Sequence, residues 1–258
     1  MPAVHDEGIC IRHWDFSETS QTVSLFGRTL GIVRGLAKGA RRERGAFDGG
    51  IDLLSRGEFG ALLKHGRDLA TLTEWGLLET FPRLRVDLAA NRAAFYMADL
   101  VGRMLEPEDP HPRLYDCLTR SLRTIGAAYL PGEPAPDGAA TLLEFQWTLL
   151  GEAGYRPSLE GAADGPAGAR AVLEFAPQSG GIVAADAAGT VEGPRWKVRR
   201  ATVDALAAVD AGGAPPADPE TLARANRLLA AYLRHVLGAE PPTMAPLFGG
   251  AGMRSLRG

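Results

Sequence analysis

Residues 21–42 read QTVSLFGRTLGIVRGLAKGARR, and this stretch decides the fold. Two runs rich in Val, Ile, Leu and Thr, Gln21 to Phe26 and Leu30 to Lys38, flank Gly27-Arg28-Thr29-Leu30-Gly31. That spacing suits a hairpin of antiparallel neighbours. Upstream, Ile9, Ile11 and His13 alternate with Cys10, Arg12 and Trp14, the period of two that sends successive side chains to opposite faces of a sheet. A turn at Asp15 to Thr19 joins this strand to the hairpin. Downstream of a Gly- and Arg-rich stretch from Gly39 to Gly50, extended segments lie near Phe59 to His65 and Leu69 to Trp75, joined by Gly66-Arg67-Asp68. Five short strands within about eighty residues, with a long connection between the third and fourth, predict a small closed barrel, which leaves no sheet edge exposed.

The period changes after Phe81-Pro82. Leu88, Phe95, Tyr96, Leu100, Val101, Met104 and Leu105 recur at the intervals of a helix face, and Leu114, Leu118, Leu122 and Ile125 repeat the pattern. Proline-rich breaks at Pro107 to Pro112 and Pro131 to Pro136 separate these segments from an apolar stretch at Leu142 to Leu150. Further helices are predicted at Val203 to Val209 and at Leu222 to Leu237. The second begins at Asp218-Pro219-Glu220, which supplies an N-cap, a first-position proline and a first-turn acid. Between the Leu142 to Leu150 stretch and the Val203 helix, an excursion at about 155–190 departs from the helical pattern. Its segments Ala171 to Phe175 and Gly181 to Ala185 flank Pro177-Gln178-Ser179-Gly180 and predict a short hairpin. The chain is thus α+β, with a barrel over residues 1–80 and a helical domain over 81–258 carrying an inserted hairpin and an irregular tail beyond Gly238.

Of the 258 residues 45% are hydrophobic and 23% charged, which excludes collagen-like and fully disordered chains. Lys and Arg total 28 against 31 Asp and Glu, so the molecule is no polycation and any basic site must be local. The longest apolar run, around Leu228 to Leu233, is far short of a membrane crossing. The N-terminus MPAVHDEGICIRHW carries acids where a secretory leader would be basic, so a cytoplasmic protein is expected. Two isolated cysteines, Cys10 and Cys117, read as buried small hydrophobes, and the five histidines form no metal-ligand spacing. There is no Gly-x-Ser-x-Gly, no phosphate-binding Gly-rich loop ending in Lys-Ser/Thr and no His-Glu-x-x-His. No enzyme, metal or cofactor is expected.

The sharpest local field comes from Arg28, Arg34, Lys38, Arg41, Arg42 and Arg44, among which Glu43 is the one acid. Guanidinium groups here suit phosphate, and Lys64 and Arg67 on the next hairpin extend the surface. A solvated loop with no specific partner is the alternative. A second cluster, Arg195, Lys197, Arg199 and Arg200, surrounds Trp196, compatible either with phosphate neutralisation plus base stacking or with a core indole among exposed neighbours. Phe16, Phe47 and Phe59 are the other stacking candidates, with barrel packing as the alternative for each. Trp14 and Trp75 read as core or interface residues.

The run Asp15-Phe-Ser-Glu-Thr19, then Val23-Ser-Leu-Phe26, Gly31 and LAKGARR from Leu36 to Arg42, resembles the N-terminal region of the RecO family of bacterial DNA repair and recombination mediators. The similarity continues through Thr71-Leu-Thr-Glu74, Leu77-Leu-Glu79, Phe81-Pro82, Gly154-Tyr155-Arg-Pro157, Phe175 with Gly180-Gly181, and Leu228-Leu-Ala-Ala-Tyr232 to Leu237-Gly238. The resemblance implies an OB-fold barrel that binds single- and double-stranded DNA and anneals complementary strands. It implies help in loading the recombinase RecA onto strands coated by single-stranded DNA-binding protein, with RecR and the acidic C-terminal tail of that coating protein as partners. Arg34, Lys38, Arg41, Arg42 and Arg44 would contact phosphate, Lys64 and Arg67 would support them, and Arg195, Lys197, Arg199 and Arg200 would form a second DNA surface in a cytoplasmic, nucleoid-associated protein. Many family members hold one zinc with two Cys-x-x-Cys pairs in the excursion. Here those places fall near Ala162, Gly165, Ala184 and Ala187, so no zinc is expected and the excursion is zinc-finger-like only in outline. A protein-binding adaptor with incidental DNA contact is the competing reading.

Overall fold

The computed structural model describes residues 3–42, 45–47, 49–63, 69–128, 138–162, 171–183, 193–215 and 218–249. The chain divides into two compact units, Met1–Pro136 and Asp137–Gly258. This division falls later than residue 80, where strands give way to helices.

In the first unit five strands close into a barrel: β1 (Ala3–Asp15), β2 (Gln21–Gly27), β3 (Gly31–Ala37), β4 (Arg56–Leu62) and β5 (Ala70–Glu79), in the order β1-β2-β3-β5-β4. Every neighbouring pair is antiparallel except β3 with β5, which run parallel from Gly35 opposite Ala70 to Ala37 opposite Leu72. β1, at 13 residues, is more than twice as long as the sequence pattern marks it, because it serves two partners. Its first half pairs with β4, from Ala3 opposite Leu62 to Ile9 opposite Arg56, and its second half with β2. A bulge between Cys10 and Arg12 bends the strand between them. The interior is filled by Cys10, Val23, Leu25, Val33, Phe47, Ile51, Phe59, Leu72 and Trp75, with Ala37 and Ala40 at one end.

Two helices, α1 (Leu88–Met104) and α2 (Pro112–Gly126), complete this unit. Asp87 caps α1 by accepting from the amides of Ala89 and Ala90, satisfying two donors that a helix start leaves unpaired. Ionic contacts fix both helices to the barrel. Arg12 reaches Asp99 of α1 at 2.7 Å, and Arg28 makes paired hydrogen bonds of 3.0 and 3.1 Å to Asp116 of α2. Arg123 of α2 donates to Glu79 at 2.8 Å, while Arg56 joins Glu79 to Glu7. The hydrogen bond from Arg123 outweighs the upward push of burial and, with a further one from Arg56, holds the Glu79 carboxyl below its usual range.

The second unit contains α3 (Gly138–Glu152), α4 (Arg200–Asp210), α5 (Pro219–Leu237) and a three-stranded sheet. α5 starts as its sequence predicts: the Asp218 carboxylate accepts from the Thr221 amide at 2.9 Å and Pro219 opens the first turn. It ends at Gly238, whose φ of 69° a residue with a Cβ adopts only at a cost. Between α3 and α5 the buried Gln146 amide donates to Asn226 at 2.8 Å, and Asn226 donates to the Ala139 carbonyl, so this polar pair is satisfied within the helical core.

The sheet runs β7-β6-β8, with β6 at Val172–Ala176, β7 at Gly181–Ile182 and β8 at Trp196–Arg199. The sequence reading has no β8; four residues with a single buried Val198 carry too little alternation to mark a strand. The tail also differs from its expected irregularity, since α6 (Met244–Phe248) forms a single short helix that turns Met244 inward.

Candidate functional site

β2 and β3 run antiparallel, so their turn at Arg28–Leu30 lies at one end of the barrel and the Lys38–Arg42 segment at the other. The two ends are treated differently. At the turn end, Phe26 meets Tyr115 of α2 edge-on, with ring centroids 5.8 Å apart, and Arg28 is held by Asp116. That arginine therefore anchors a helix.

At the far end, the chain leaves β3 through Lys38 and turns at Gly39, whose φ of 67° permits the reversal. Ala40 is fully buried and plugs the barrel interior. Its neighbours Lys38, Arg41 and Arg42 are thereby thrown outward and exposed. The segment is docked on the β1–β2 turn: the Gly39 amide donates to Ser20 Oγ at 3.2 Å and the Arg41 amide to the Thr19 carbonyl at 3.1 Å. The Arg42 side chain folds over Gly39, where an added Cβ would lie 3.2 Å from its Nε. Arg41 donates to Asp15 at 2.5 Å, both groups being exposed. Arg34 emerges from the outer face of β3 opposite Ser24 and is exposed. Among the described residues Arg34, Lys38 and Arg42 have no ion-pair partner.

Trp14 and Phe16 flank Asp15 at this same end, with 51% and 65% of their surface exposed. The sequence reading puts Trp14 on the face of Cys10, in a core or interface. The bulge corrects this. Cys10 opposes Leu25 and faces inward, but after the extra residue it is His13 that opposes the core Val23, so Arg12 and Trp14 face outward. Register then aligns Trp14, Thr22, Leu36 and Thr71 in one outer row across β1, β2, β3 and β5, next to the row that carries Arg34. Of the three phenylalanine candidates, Phe47 and Phe59 are core residues and Phe16 is exposed. Trp75 is core, as read. Arg44, Lys64 and Arg67 lie outside the described residues.

The opposite wall has the other sign. Glu7 sits directly opposite Glu58 in the β1–β4 ladder, and Glu58 opposite Gly76 in the β4–β5 ladder. Gly76 leaves the outer surface bare beside a cavity of about 610 Å³ lined by His5, Glu7, Glu58 and Glu74 over Phe59 and Trp75. His5 and Glu74 meet across it at 3.0 Å.

The second basic cluster is engaged differently. Trp196 stacks on the fully buried Phe175, centroids 5.6 Å apart and planes 7° from parallel, and Phe175 meets Tyr232 edge-on. Arg195 donates to Glu174 at 3.1 Å and Arg200 to the Ala162 carbonyl at 3.2 Å. Lys197 and Arg199 remain exposed on β8.

Among the described residues no group of three or more His, Cys, Asp or Glu is placed to hold a metal. Cys10 and Cys117 are buried, and burial pushes the Cys10 thiol up to about 12. Ala162 ends a short 3-10 turn and offers no ligand atom; Gly165, Ala184 and Ala187 lie outside the described residues and have none by identity. The family's zinc does not fit these residues.

The first unit is a small closed β-barrel with two helices packed on it, presenting cations and exposed aromatic rings at one end. Comparison with known proteins makes this specific. Residues 1–81 match the family model described as recombination protein O N terminal, and residues 85–245 match recombination protein O C terminal. The chain belongs to the RecO family. It is 34% identical over 254 residues to the DNA repair protein RecO of Roseiflexus sp. strain RS-1, covering 93% of this chain and 83% of that one. It is 31% identical over 238 residues to the protein of the same name from Anaeromyxobacter sp. strain Fw109-5, covering 90% of each.

Proposed function

We propose that this chain is a non-enzymatic DNA-binding mediator of recombination in DNA repair. In this reading residues 1–80 are an OB-fold DNA-binding domain, which the barrel order and the single parallel closure of β3 on β5 support. The protein binds single- and double-stranded DNA, anneals complementary strands and helps a recombinase of the RecA type gain strands coated by single-stranded DNA-binding protein. The acidic tail of that protein and RecR are its proposed partners, in the cytoplasm at the nucleoid. No described helix is long and apolar enough to cross a membrane. The relatives named above carry DNA repair in their names.

One observation carries the reading: the exposed cations Lys38, Arg41 and Arg42 lie at the barrel end that also exposes Trp14 and Phe16, with Arg34 on the adjoining outer face of β3. Phosphate is neutralised by such groups with little regard to sequence, and screening charge on two strands lowers the repulsion that opposes annealing. Arg44, Lys64 and Arg67 are proposed to extend this surface, and Arg195, Lys197, Arg199 and Arg200 to form a second one. Fluorescence anisotropy of a labelled mixed-sequence strand tests the proposal. Four to six neutralised phosphates give a log–log salt slope of about −3 to −4, which replacement of Arg41, Arg42 and Arg44 by Ala should flatten. An unchanged slope and affinity would remove this end of the barrel as the site.

The adaptor reading keeps one support, the acidic cavity on the β1–β4–β5 wall, which repels phosphate and suits a basic segment of a partner protein. Strand annealing by the purified protein alone separates the two.

A further inference from the structure

We propose that Trp14 and Phe16 stack on unpaired bases and make this end of the barrel select single-stranded over duplex DNA. The inference rests on the reading that the Lys38–Arg42 end binds DNA, and adds which form it prefers.

Both rings are half-exposed or more, and among the described residues neither makes an aromatic or cation–π contact. Such exposure is unusual on a barrel whose other described aromatic side chains are buried. The two rings are also held on firm supports. Trp14 is within β1, paired with Thr22, and the Phe16 amide donates to the Ser20 carbonyl at 2.9 Å. Ser20 and Thr19 in turn bind the backbone of Gly39 and Arg41, so rings and cations share one rigid rim, and little conformational entropy is lost when a strand settles on them. The cations decide what the rings face. With Arg34 one row from Trp14, and Arg41 on Asp15 between the rings, a polyanion is the complementary occupant and an apolar peptide is not. Duplex DNA offers that rim only phosphate, because its base faces are already stacked. A single strand offers phosphate to the guanidinium groups and π faces to the rings together.

The test uses the full chain with labelled oligothymidylate and a duplex of equal length at two salt concentrations. Replacing Trp14 and Phe16 together by Ala should lower single-strand affinity about tenfold or more, leave duplex affinity within about twofold, and leave the salt slope unchanged. The pair Trp14→Phe with Phe16→Tyr should restore the preference. Equal loss on both DNAs, or no loss on the single strand, overturns the proposal; in the second case the rings serve a protein partner. The underlying reading fails separately: if the wild type binds neither DNA, or replacing Arg34, Lys38 and Arg42 by Ala weakens neither, both fall. Unchanged circular dichroism and melting of the Ala pair show that the loss is one of contact, since both rings lie outside the core.

Discussion

Two runs of basic residues, 34–42 and 195–200, look alike in sequence and differ in the fold. In the first, three of four described cations have no ion-pair partner among the described residues, and two aromatic rings beside them are exposed. In the second, Arg195 and Arg200 are bound to Glu174 and to the Ala162 carbonyl, and the indole of Trp196 lies flat on Phe175. Cationic side chains near an aromatic residue thus serve two purposes. When an acid sits across the ladder and the ring has a stacking partner, they build a sheet. When neither holds, they are available to a polyanion. The distinction is one of pairing and exposure, and local composition does not contain it.

The largest effect expected from this difference is on stability. Phe175→Ala removes a fully buried ring that holds both Trp196 and Tyr232, and should destabilise the second unit by about 3–5 kcal/mol in urea unfolding. Trp14→Ala should cost less than about 0.5 kcal/mol, as an exposed position does. Similar losses at the two sites would erase the contrast.

Next in size is the effect on binding. Replacing Arg34, Lys38 and Arg42 by Ala should lower single-strand affinity at least about tenfold at moderate salt and reduce the magnitude of the salt slope by about 2. The double change Lys197→Ala with Arg199→Ala can alter it by about 1.4 at most. The ratio of the two changes, read by anisotropy, measures how binding divides between the surfaces.

A smaller effect belongs to paired arginines of the first unit. Glu79 has a folded-state pKa depressed by Arg123 and then Arg56. Its pairing therefore adds stability above the unfolded glutamate value of about 4.3 and loses it as pH falls through the lower folded value. Glu79→Gln should cost about 1 kcal/mol at neutral pH, and the gap to wild type should close on acidification below about pH 4. A gap independent of pH would mean that the loss is one of packing.

Much of this architecture was legible because it rests on local chemistry. The period of two through residues 21–38 and the Asp218-Pro219-Glu220 start of α5 need no distant partner to be recognised. What escaped reading depends on contacts remote in sequence. The bulge after Cys10 reverses the phase of β1, and only the pairing of His13 with Val23 reveals that Trp14 points to solvent. β8 exists because β6 supplies its partner. Ala40 is a plug because Phe47 and Ile51, from the long connection, close the same end of the core. For the candidate site, the cations were visible as residue types, while their freedom or engagement depended on acids such as Asp116, 88 residues from Arg28 in the chain.

The finest test of the comparison lies within the first run itself, where Arg41 alone is paired. Asp15 accepts from Arg41 at 2.5 Å between the two exposed rings, so a phosphate approaching this guanidinium must displace a carboxylate already there. The pair is exposed on both sides, and such pairs hold weakly, so the competition is mild. Asp15→Asn keeps a side chain of the same shape, removes the negative charge, and releases Arg41 to the phosphate. Single-strand affinity should rise about two- to threefold at low salt, and the gain should fade as salt screens the carboxylate of the wild type. The corresponding change in the second run, Glu174→Gln, releases Arg195 but also removes the acid that stands opposite Lys197 in the β6–β8 ladder, so any gain in affinity should come with a slight destabilisation of the sheet. A weaker-binding Asp15→Asn protein would mean that the ion pair positions Arg41 for phosphate, and that within this run, too, pairing serves the site.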